Sequence, residues 1–240
     1  MQEFSVPAKD GVELVKKQEV RTRIEEIGII PAVRMSSADD ARFAAETVNG
    51  GGIPIAEITL TVPEAIEVIR RLTESIPEMI VGAGTVLDVE TAKRCLDAGA
   101  KFLTSPGLVL EVVEFAAKND VVVLPGALTA TEVIAAWKAG ADFVKIFPCG
   151  QVGGESYIRA LKAPLPQIPL IASGGVNQQT ALNFVHAGAA ALGIGGELIP
   201  REDVQLRRKD RILELARRFK KLVKEGRSRR KVNADISQRI

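Results

Sequence analysis

The sequence predicts a single-domain α/β protein built as a closed (β/α)8 barrel, the TIM-barrel architecture. Eight short apolar segments alternate with helix-forming segments over residues 28–224. Strict alternation with short connections is typical of a parallel sheet with helical crossovers, and eight units favour closure into a barrel. Four helix-to-strand loops share a glycine-ended theme, NGGGIP, DAGAKF, KAGADF and HAGAAA. The alternative is an open doubly wound sheet, which usually has a glycine-rich loop after its first strand, where this chain has VRMSS.

The individual elements follow from hydrophobic periodicity and helix-capping residues. We predict strands at 28–34, 53–60, 79–83, 101–104, 121–124, 143–147, 169–172 and 190–194. We predict helices at 11–27, 36–49, 63–73, 88–98, 109–118, 129–138, 155–161, 177–188 and 203–224. The barrel domain, with its N-terminal helix, is expected to span residues 1–226, and residues 227–240 are expected to form a flexible basic tail.

Composition limits the class of protein. The chain has 240 residues, of which 46% are hydrophobic, and this suits one globular domain. No apolar run approaches the roughly 18 residues of a membrane span, and the first 20 residues lack an apolar signal core. Cys95 and Cys149 lie too far apart to be a metal-ligand pair, and the only histidine is His186, near a predicted helix end. We therefore expect a cytoplasmic protein with no membrane association, in which a histidine-rich metal site would have to include His186.

Charge is distributed unevenly along the chain. Residues 201–240 carry 15 Lys and Arg residues against 6 Asp and Glu residues, whereas the whole chain has a net charge of +2. The body is therefore mildly acidic and the C-terminal region basic. A basic tail can bind nucleic acid, but the segment after Gly226 has no aromatic residue and little periodicity. We expect it to be solvated, and we expect no nucleic-acid partner.

Lys145 interrupts the apolar segment FVKIFP, which reads as a buried strand. Taking an ammonium group out of water is costly, so a lysine there must be paired or neutral. A neutral amine in a dry pocket is a nucleophile for a carbonyl carbon. Two alternatives to a nucleophilic lysine are open. The strand is less buried than its composition suggests, or Lys145 only forms an ion pair.

Glu57 is a second charge within an apolar segment, IPIAEITL. Period-two geometry places Ile55, Glu57 and Thr59 on one face of the strand. A lone glutamate of this kind usually faces solvent or lies on an edge, and a Lys–Glu pair without catalysis is a further alternative. If Glu57 and Lys145 both point into the barrel, the carboxylate can move protons for the amine.

Polar and glycine residues concentrate at the predicted carboxyl ends of the strands, where active sites of such barrels lie. They include Arg34, Thr61, Thr85, Pro106, Phe147, Ser173 and the two Gly-Gly pairs Gly174–Gly175 and Gly195–Gly196. The Gly-Gly pairs precede the last two helices of the barrel. Backbone N–H groups at a helix N-terminus bind anions, so this position predicts a phosphate site.

Together these residues resemble the class I aldolases for 2-keto-3-deoxy-6-phosphogluconate (KDPG) and 4-hydroxy-2-oxoglutarate (KHG). The most specific motifs are EITLTVPEA, VGAGTV, SPG, LPG, FVKIFP, SGGV and GIGG, and the resemblance covers residues 28–200. It implies a homotrimeric (β/α)8 barrel and a metal-free Schiff-base mechanism. In that mechanism Lys145 would form the imine and Glu57 would transfer protons.

The resemblance also implies roles for the residues at the strand ends. Thr85 matches a position near the pyruvate carboxylate, and Pro106 and Phe147 match pocket-lining positions. Many members have an arginine where this chain has Thr61, and Arg34 is the candidate replacement as the carboxylate ligand. Ser173 replaces a threonine, and Gly196 with Glu197 replaces a serine-containing loop. An acidic Glu197 close to a phosphate would be unfavourable unless it points away.

The resulting hypothesis is reversible cleavage of a phosphorylated 2-keto-3-deoxy sugar acid to pyruvate and glyceraldehyde 3-phosphate. Ser173, Gly174, Gly175, Gly195 and Gly196 would hold the phosphate. Three alternatives remain at this point. They are cleavage of unphosphorylated KHG to pyruvate and glyoxylate, a phosphosugar-binding or scaffold barrel without catalysis, and a phosphosugar epimerase or isomerase that forms no imine.

Overall fold

The computed structural model describes residues 16–237, with side chains described for residues 16–230. Its strands are β1 Ile29–Val33, β2 Ile55–Thr59, β3 Ile80–Gly84, β4 Phe102–Thr104, β5 Val122–Leu124, β6 Gly126–Ala127, β7 Val144–Ile146, β8 Leu170–Ser173 and β9 Ala191–Ile194. Its α-helices are α1 Lys17–Ile27, α2 Ala38–Gly50, α3 Ala65–Ser75, α4 Val89–Asp97, α5 Leu110–Lys118, α6 Ala130–Lys138, α7 Glu155–Lys162, α8 Ala181–His186, α9 Arg201–Gln205 and α10 Lys209–Ser237.

The strands form one parallel sheet in the order β5-β4-β3-β2-β1-β9-β8-β7-β6. Its two end strands are consecutive in the chain and are separated only by Pro125. Proline has no backbone N–H, so it interrupts the ladder at that point. The segment formed by β5 and β6 occupies one position of the barrel, which leaves eight positions in all. The predicted (β/α)8 barrel is confirmed.

The barrel interior is filled near the amino ends of the strands by apolar side chains. The buried cluster takes members from α1 and from strands around the barrel: Val20, Ile24, Ile30, Ile55, Ile80, Phe102, Val122, Leu124, Phe143, Ile171 and Ala191. Helix α1 therefore closes this end, which we call the bottom of the barrel. Lys17 of α1 also pairs at 3.0 Å with Asp142, whose carboxylate accepts the N–H of Val123. Access to the interior is left to the opposite end.

Side-chain caps lie at or next to the predicted starts of three helices. Ser37, Asp88 and Thr129 accept the N–H of the third residue of α2, α4 and α6. Helix α8 begins later than predicted, because the Asn177 side chain accepts the N–H groups of Gln179 and Thr180 and so closes a turn before it.

The last predicted helix, 203–224, is instead two helices, α9 and α10, and α10 continues unbroken through Gly226 to Ser237. Arg227 donates hydrogen bonds to the carbonyls of Glu25 and Glu26 at the end of α1. The predicted boundary at residue 227 therefore does not coincide with an end of secondary structure. The predicted first turn at 11–15 and the residues after 237 lie outside the described part. Between residues 16 and 237, no helix is long and apolar enough to cross a membrane.

Candidate active site

A polar layer lies directly above the apolar cluster inside the barrel. Side chains alternate along a strand, so a residue two positions after a cluster member also points inward. Four such positions are polar: Glu57, Thr104, Lys145 and Ser173. All four lie towards the carboxyl ends of their strands, the end that α1 leaves open.

Lys145 and Glu57 meet in this layer. The Lys145 Nζ lies 3.7 Å from Glu57 Oε2, and the two side chains are 13% and 5% exposed. The same Nζ lies 3.5 Å from the Thr104 Oγ1 and 5.6 Å from the centre of the Phe147 ring. The structure thus brings together the two charges that the sequence placed in separate strands, and both are largely removed from solvent.

Glycines of β3 make room for this arrangement. A Cβ on Gly82 would lie 2.3 Å from the Phe102 ring, and a Cβ on Gly84 would lie 2.3 Å from Glu57 Oε1. Any side chain at these positions would collide, since Cβ atoms do not approach other heavy atoms so closely. Gly84 therefore shapes the space in which the Glu57 carboxylate lies.

A cavity of about 350 Å³ opens at the carboxyl ends of β1, β8 and β9, and neither Lys145 nor Glu57 lines it. Phe147 connects the pair to this cavity, since its ring lies near Lys145 Nζ and the residue also lines the cavity. The predicted site residues that line it are Arg34, Phe147, Ser173, Gly174, Gly175, Gly195 and Gly196. Glu197 and Arg201 line it as well, so two arginines and one glutamate line the cavity that contains the predicted phosphate loops.

The Gly-Gly pairs are not at helix N-termini as predicted. Helix α8 begins at Ala181 and α9 at Arg201, several residues after each pair. Gly174 and Gly175 have φ of 79° and 88°, which favour glycine. A Cβ on Gly175 would also lie 2.7 Å from the Gly150 Cα. Close packing of the loops after β7 and β8 therefore explains these glycines independently of any ligand.

Three predicted pyruvate-site residues lie at the rim and do not line this cavity. The Thr61 hydroxyl pairs at 2.9 Å with that of Thr59, which reaches the Val33 carbonyl at 3.0 Å. Thr85 has a φ of 64°, rare outside glycine. Pro106 is exposed, and its carbonyl leaves no room for a Cβ on Gly126. Arg34, by contrast, is exposed at the end of β1 and lines the cavity.

Comparison with known proteins places this barrel in a family. The family model described as KDPG and KHG aldolase matches residues 20–215. The chain belongs to the KDPG and KHG aldolase family. The 2-dehydro-3-deoxy-phosphogluconate aldolase of Pseudomonas aeruginosa is 33% identical over 71% of this chain and 77% of its own length. The KHG/KDPG aldolase of Escherichia coli strain K12 is 30% identical over 79% of this chain and 89% of its own.

Solved structures of the aldolase family share this architecture. One is the KDPG aldolase from Legionella pneumophila with pyruvate captured at low pH as a covalent carbinolamine intermediate. It has a TM-score of 0.75 and 27% identity, and the match covers 84% of this chain and 97% of that one. The predicted family resemblance is therefore confirmed.

Two features of this aldolase-family site were not predicted from the sequence. Thr104, which contacts Lys145, directly precedes the SPG motif and was not among the predicted site residues. Arg201, which lines the cavity, comes seven residues after β9 ends, beyond the strand ends on which the prediction relied. The inward alternation from Phe102 was the signal that could have found Thr104.

Cys149, which follows β7, is a core residue. It is fully buried, and its Sγ lies 3.6 Å from the Gly154 carbonyl. Burial raises the pKa of the Cys149 thiol to about 12, so it stays protonated at neutral pH and is a poor nucleophile.

Among the described residues, no three His, Cys, Asp or Glu side chains are grouped to hold a metal ion.

Proposed function

We propose that the protein is a class I aldolase that cleaves 2-keto-3-deoxy-6-phosphogluconate, or a close epimer, reversibly to pyruvate and glyceraldehyde 3-phosphate. The observation that carries this proposal is the buried Lys145 amine 3.7 Å from the Glu57 carboxylate, at the open end of the barrel. An amine beside a carboxylate in a partly dry site has both the nucleophile and the proton acceptor that imine formation needs. The carbinolamine of pyruvate in the Legionella pneumophila relative supports the same chemistry here.

The first steps join the substrate to the enzyme. The neutral Lys145 amine adds to the C2 ketone and forms a carbinolamine. Loss of its hydroxyl as water leaves a protonated imine between Nζ and C2. Glu57 receives the proton that the amine releases and returns one to the departing hydroxyl, directly or through a water molecule. The imine then draws electrons towards C2.

The next steps break the carbon–carbon bond. Glu57 accepts the proton of the C4 hydroxyl, the C3–C4 bond breaks, and its electron pair moves into the imine to form an enamine. C4 leaves as the aldehyde of glyceraldehyde 3-phosphate. Protonation of the enamine at C3 and hydrolysis of the imine release pyruvate and restore the amine. The protonated imine is the electron sink that makes this cleavage possible.

The remaining site residues would position the substrate. Arg34 supplies a guanidinium for the pyruvate carboxylate, with Thr85, Thr61, Pro106 and Phe147 as the other predicted contacts. The backbone amides of Gly174, Gly175, Gly195 and Gly196, with Ser173, would hold the distal phosphate. Arg201 lines the same cavity and adds positive charge there. The protonated imine supplies the electron sink, so the proposed reaction requires no cofactor.

Measuring pyruvate release tests this function. Purified protein is given KDPG and, separately, KHG, and pyruvate is followed with a coupled lactate dehydrogenase assay. We expect kcat/KM to be higher for KDPG. A higher value for KHG would make KHG the substrate, and no pyruvate from either, with ligand-induced stabilisation, would favour a binding or scaffold barrel. Turnover of a phosphosugar without pyruvate release would favour an epimerase or isomerase.

Glu197 is the observation that favours KHG as the second candidate, because this acidic residue lines the cavity that contains the proposed phosphate loops. Replacing it with serine (Glu197→Ser) removes a like charge, so we expect kcat/KM for KDPG to rise about fivefold, or about 1 kcal/mol. The value for KHG, which is shorter and ends in a carboxylate instead of a phosphate, should change less. The control is Glu78→Ser, an exposed glutamate just before β3 at the bottom of the barrel. Equal changes for both substrates would show that Glu197 does not face the distal group.

The substitution Gly84→Ala tests how strongly activity depends on the position of the Glu57 carboxylate. The new methyl group would displace the carboxylate, and a misplacement of about 1 Å can lower a rate about 100-fold. We expect kcat for pyruvate release to fall by about that factor in a protein that remains folded by circular dichroism. The matched control is Gly107→Ala, because a Cβ there meets no atom within 4 Å. Normal activity of Gly84→Ala would mean that Glu57 tolerates displacement.

The oligomeric state and the cellular location of the protein follow from the same proposal. We expect a homotrimer, as the family resemblance implies, and light scattering coupled to gel filtration would give the mass directly. A mass of one 25.7 kDa chain would contradict it. We also expect the protein to act in the cytoplasm without a membrane or nucleic-acid partner.

A further inference from the structure

We infer that Thr104 is a positioning residue for the imine-forming lysine, and that its hydroxyl holds Lys145 Nζ in the direction from which it attacks the substrate. This inference rests on the proposed Schiff-base function. The Nζ lies 3.5 Å from Thr104 Oγ1 and 3.7 Å from Glu57 Oε2. The amine is therefore held between a neutral oxygen and a charged one.

The contact crosses the barrel interior. Thr104 ends β4 and Lys145 is in β7, and the segment of β5 and β6 separates these strands around the sheet. Thr104 is only 2% exposed, so its hydroxyl cannot rely on bulk water for a partner. Its β-branched side chain has restricted rotation, which fixes where the oxygen points. The inward position is therefore set by the strand and the orientation by the side chain.

Two other buried hydroxyls at this end of the barrel bond to the backbone. Thr59 donates to the Val33 carbonyl, and Ser105 donates to the Gly107 carbonyl at 2.7 Å. Those bonds shape loops and strand ends. The Thr104 hydroxyl differs because its hydrogen bond reaches the reacting nitrogen itself.

A hydroxyl suits each stage of imine chemistry. It can donate to the lone pair of a neutral amine and accept from the N–H of a protonated imine, because it carries both a donor and acceptor sites. A carboxylate such as Glu57 can only accept while it is ionised. The separation of 3.5 Å is long for a hydrogen bond, and catalytic hydrogen bonds commonly shorten when the substrate binds. Thr104 therefore keeps Nζ oriented while Glu57 moves protons.

The test compares Thr104→Val with Thr104→Ser. Valine keeps the shape of threonine without the hydroxyl, and serine keeps the hydroxyl. The readout is the rate at which pyruvate and protein form an adduct that borohydride traps, together with kcat and KM for pyruvate release. We expect the valine variant to trap about tenfold more slowly and to lose kcat with little change in KM, whereas the serine variant stays within about threefold of the parent.

The control is Thr47→Val, which removes another buried hydroxyl, on α2, whose hydrogen bond goes to the Phe43 carbonyl at 2.7 Å. It should trap pyruvate at the parent rate. Equal trapping rates for Thr104→Val and the parent would overturn this inference alone, and so would equal slowing by valine and serine. Absence of any adduct in the parent protein would overturn the Schiff-base function and this inference together.

Discussion

Replacing Lys145 with methionine is expected to lower kcat/KM for pyruvate release by about 10⁵-fold or more, because the nucleophile is lost. Methionine fills similar space but cannot form an imine, so no other step of the mechanism can proceed. The change also leaves the Glu57 carboxylate, 5% exposed, without its cation. Removing one partner of a buried pair can cost about 3–5 kcal/mol, so unfolding should be measured alongside activity.

A matched control separates this loss from general damage. Lys162, at the C-terminal end of α7 near the bottom of the barrel, is half-buried and donates to the carbonyls of Pro166 and Ile168. Burial lowers the pKa of its ammonium group, so it too is a lysine in a partly dry site. Lys162→Met should lose stability but keep its activity per folded molecule. Substantial turnover by folded Lys145→Met would contradict the assignment of the nucleophile.

Replacing Glu57 with glutamine is expected to lower kcat by about 10²- to 10⁴-fold, the usual contribution of a general acid–base group. The amide has the same shape but cannot accept a proton, so carbinolamine dehydration and C4 hydroxyl deprotonation should both slow. Lys145 remains, so borohydride should still trap pyruvate on it, only more slowly. Steady-state kcat and the trapping rate together distinguish this result from loss of the nucleophile.

Glu67 of α3, a half-exposed residue, provides the control for that experiment. It pairs with Arg71 on the same helix at 2.9 Å, far from the barrel interior. Glu67→Gln should leave kcat unchanged. If Glu57→Gln were equally active, the carboxylate would be a structural partner of Lys145 and another group would have to move the protons.

Local patterns were sufficient to predict the barrel. Alternating strands and helices, glycine-ended loops and the capping residues Ser37 and Thr129 are properties of short segments, and the structure confirms them. The break between α9 and α10 was not predictable in this way. Arg207, in the left-handed conformation with a φ of 52°, pairs with Asp39 and Asp40 of α2. Those contacts join residues more than 160 positions apart, which helical periodicity does not register.

The same distinction applies to the candidate site. Lys145 and Glu57 stood out because each is a charge within an apolar strand, but strand alternation alone left open whether they face the barrel interior or the solvent. The part played by Gly84 was not visible, because it depends on where the Glu57 carboxylate lies in space. Thr104 was missed because its partner is 41 residues further along the chain, on the strand beyond the β5 and β6 segment.

The most direct measurement of the central claim is borohydride reduction of the protein in the presence of pyruvate, followed by peptide mass mapping. Reduction converts an imine with pyruvate into a stable secondary amine on the lysine that formed it. We predict one pyruvate-derived adduct per active chain, located on Lys145 and absent when pyruvate or borohydride is omitted. No adduct, or an adduct on a different lysine, would contradict the account.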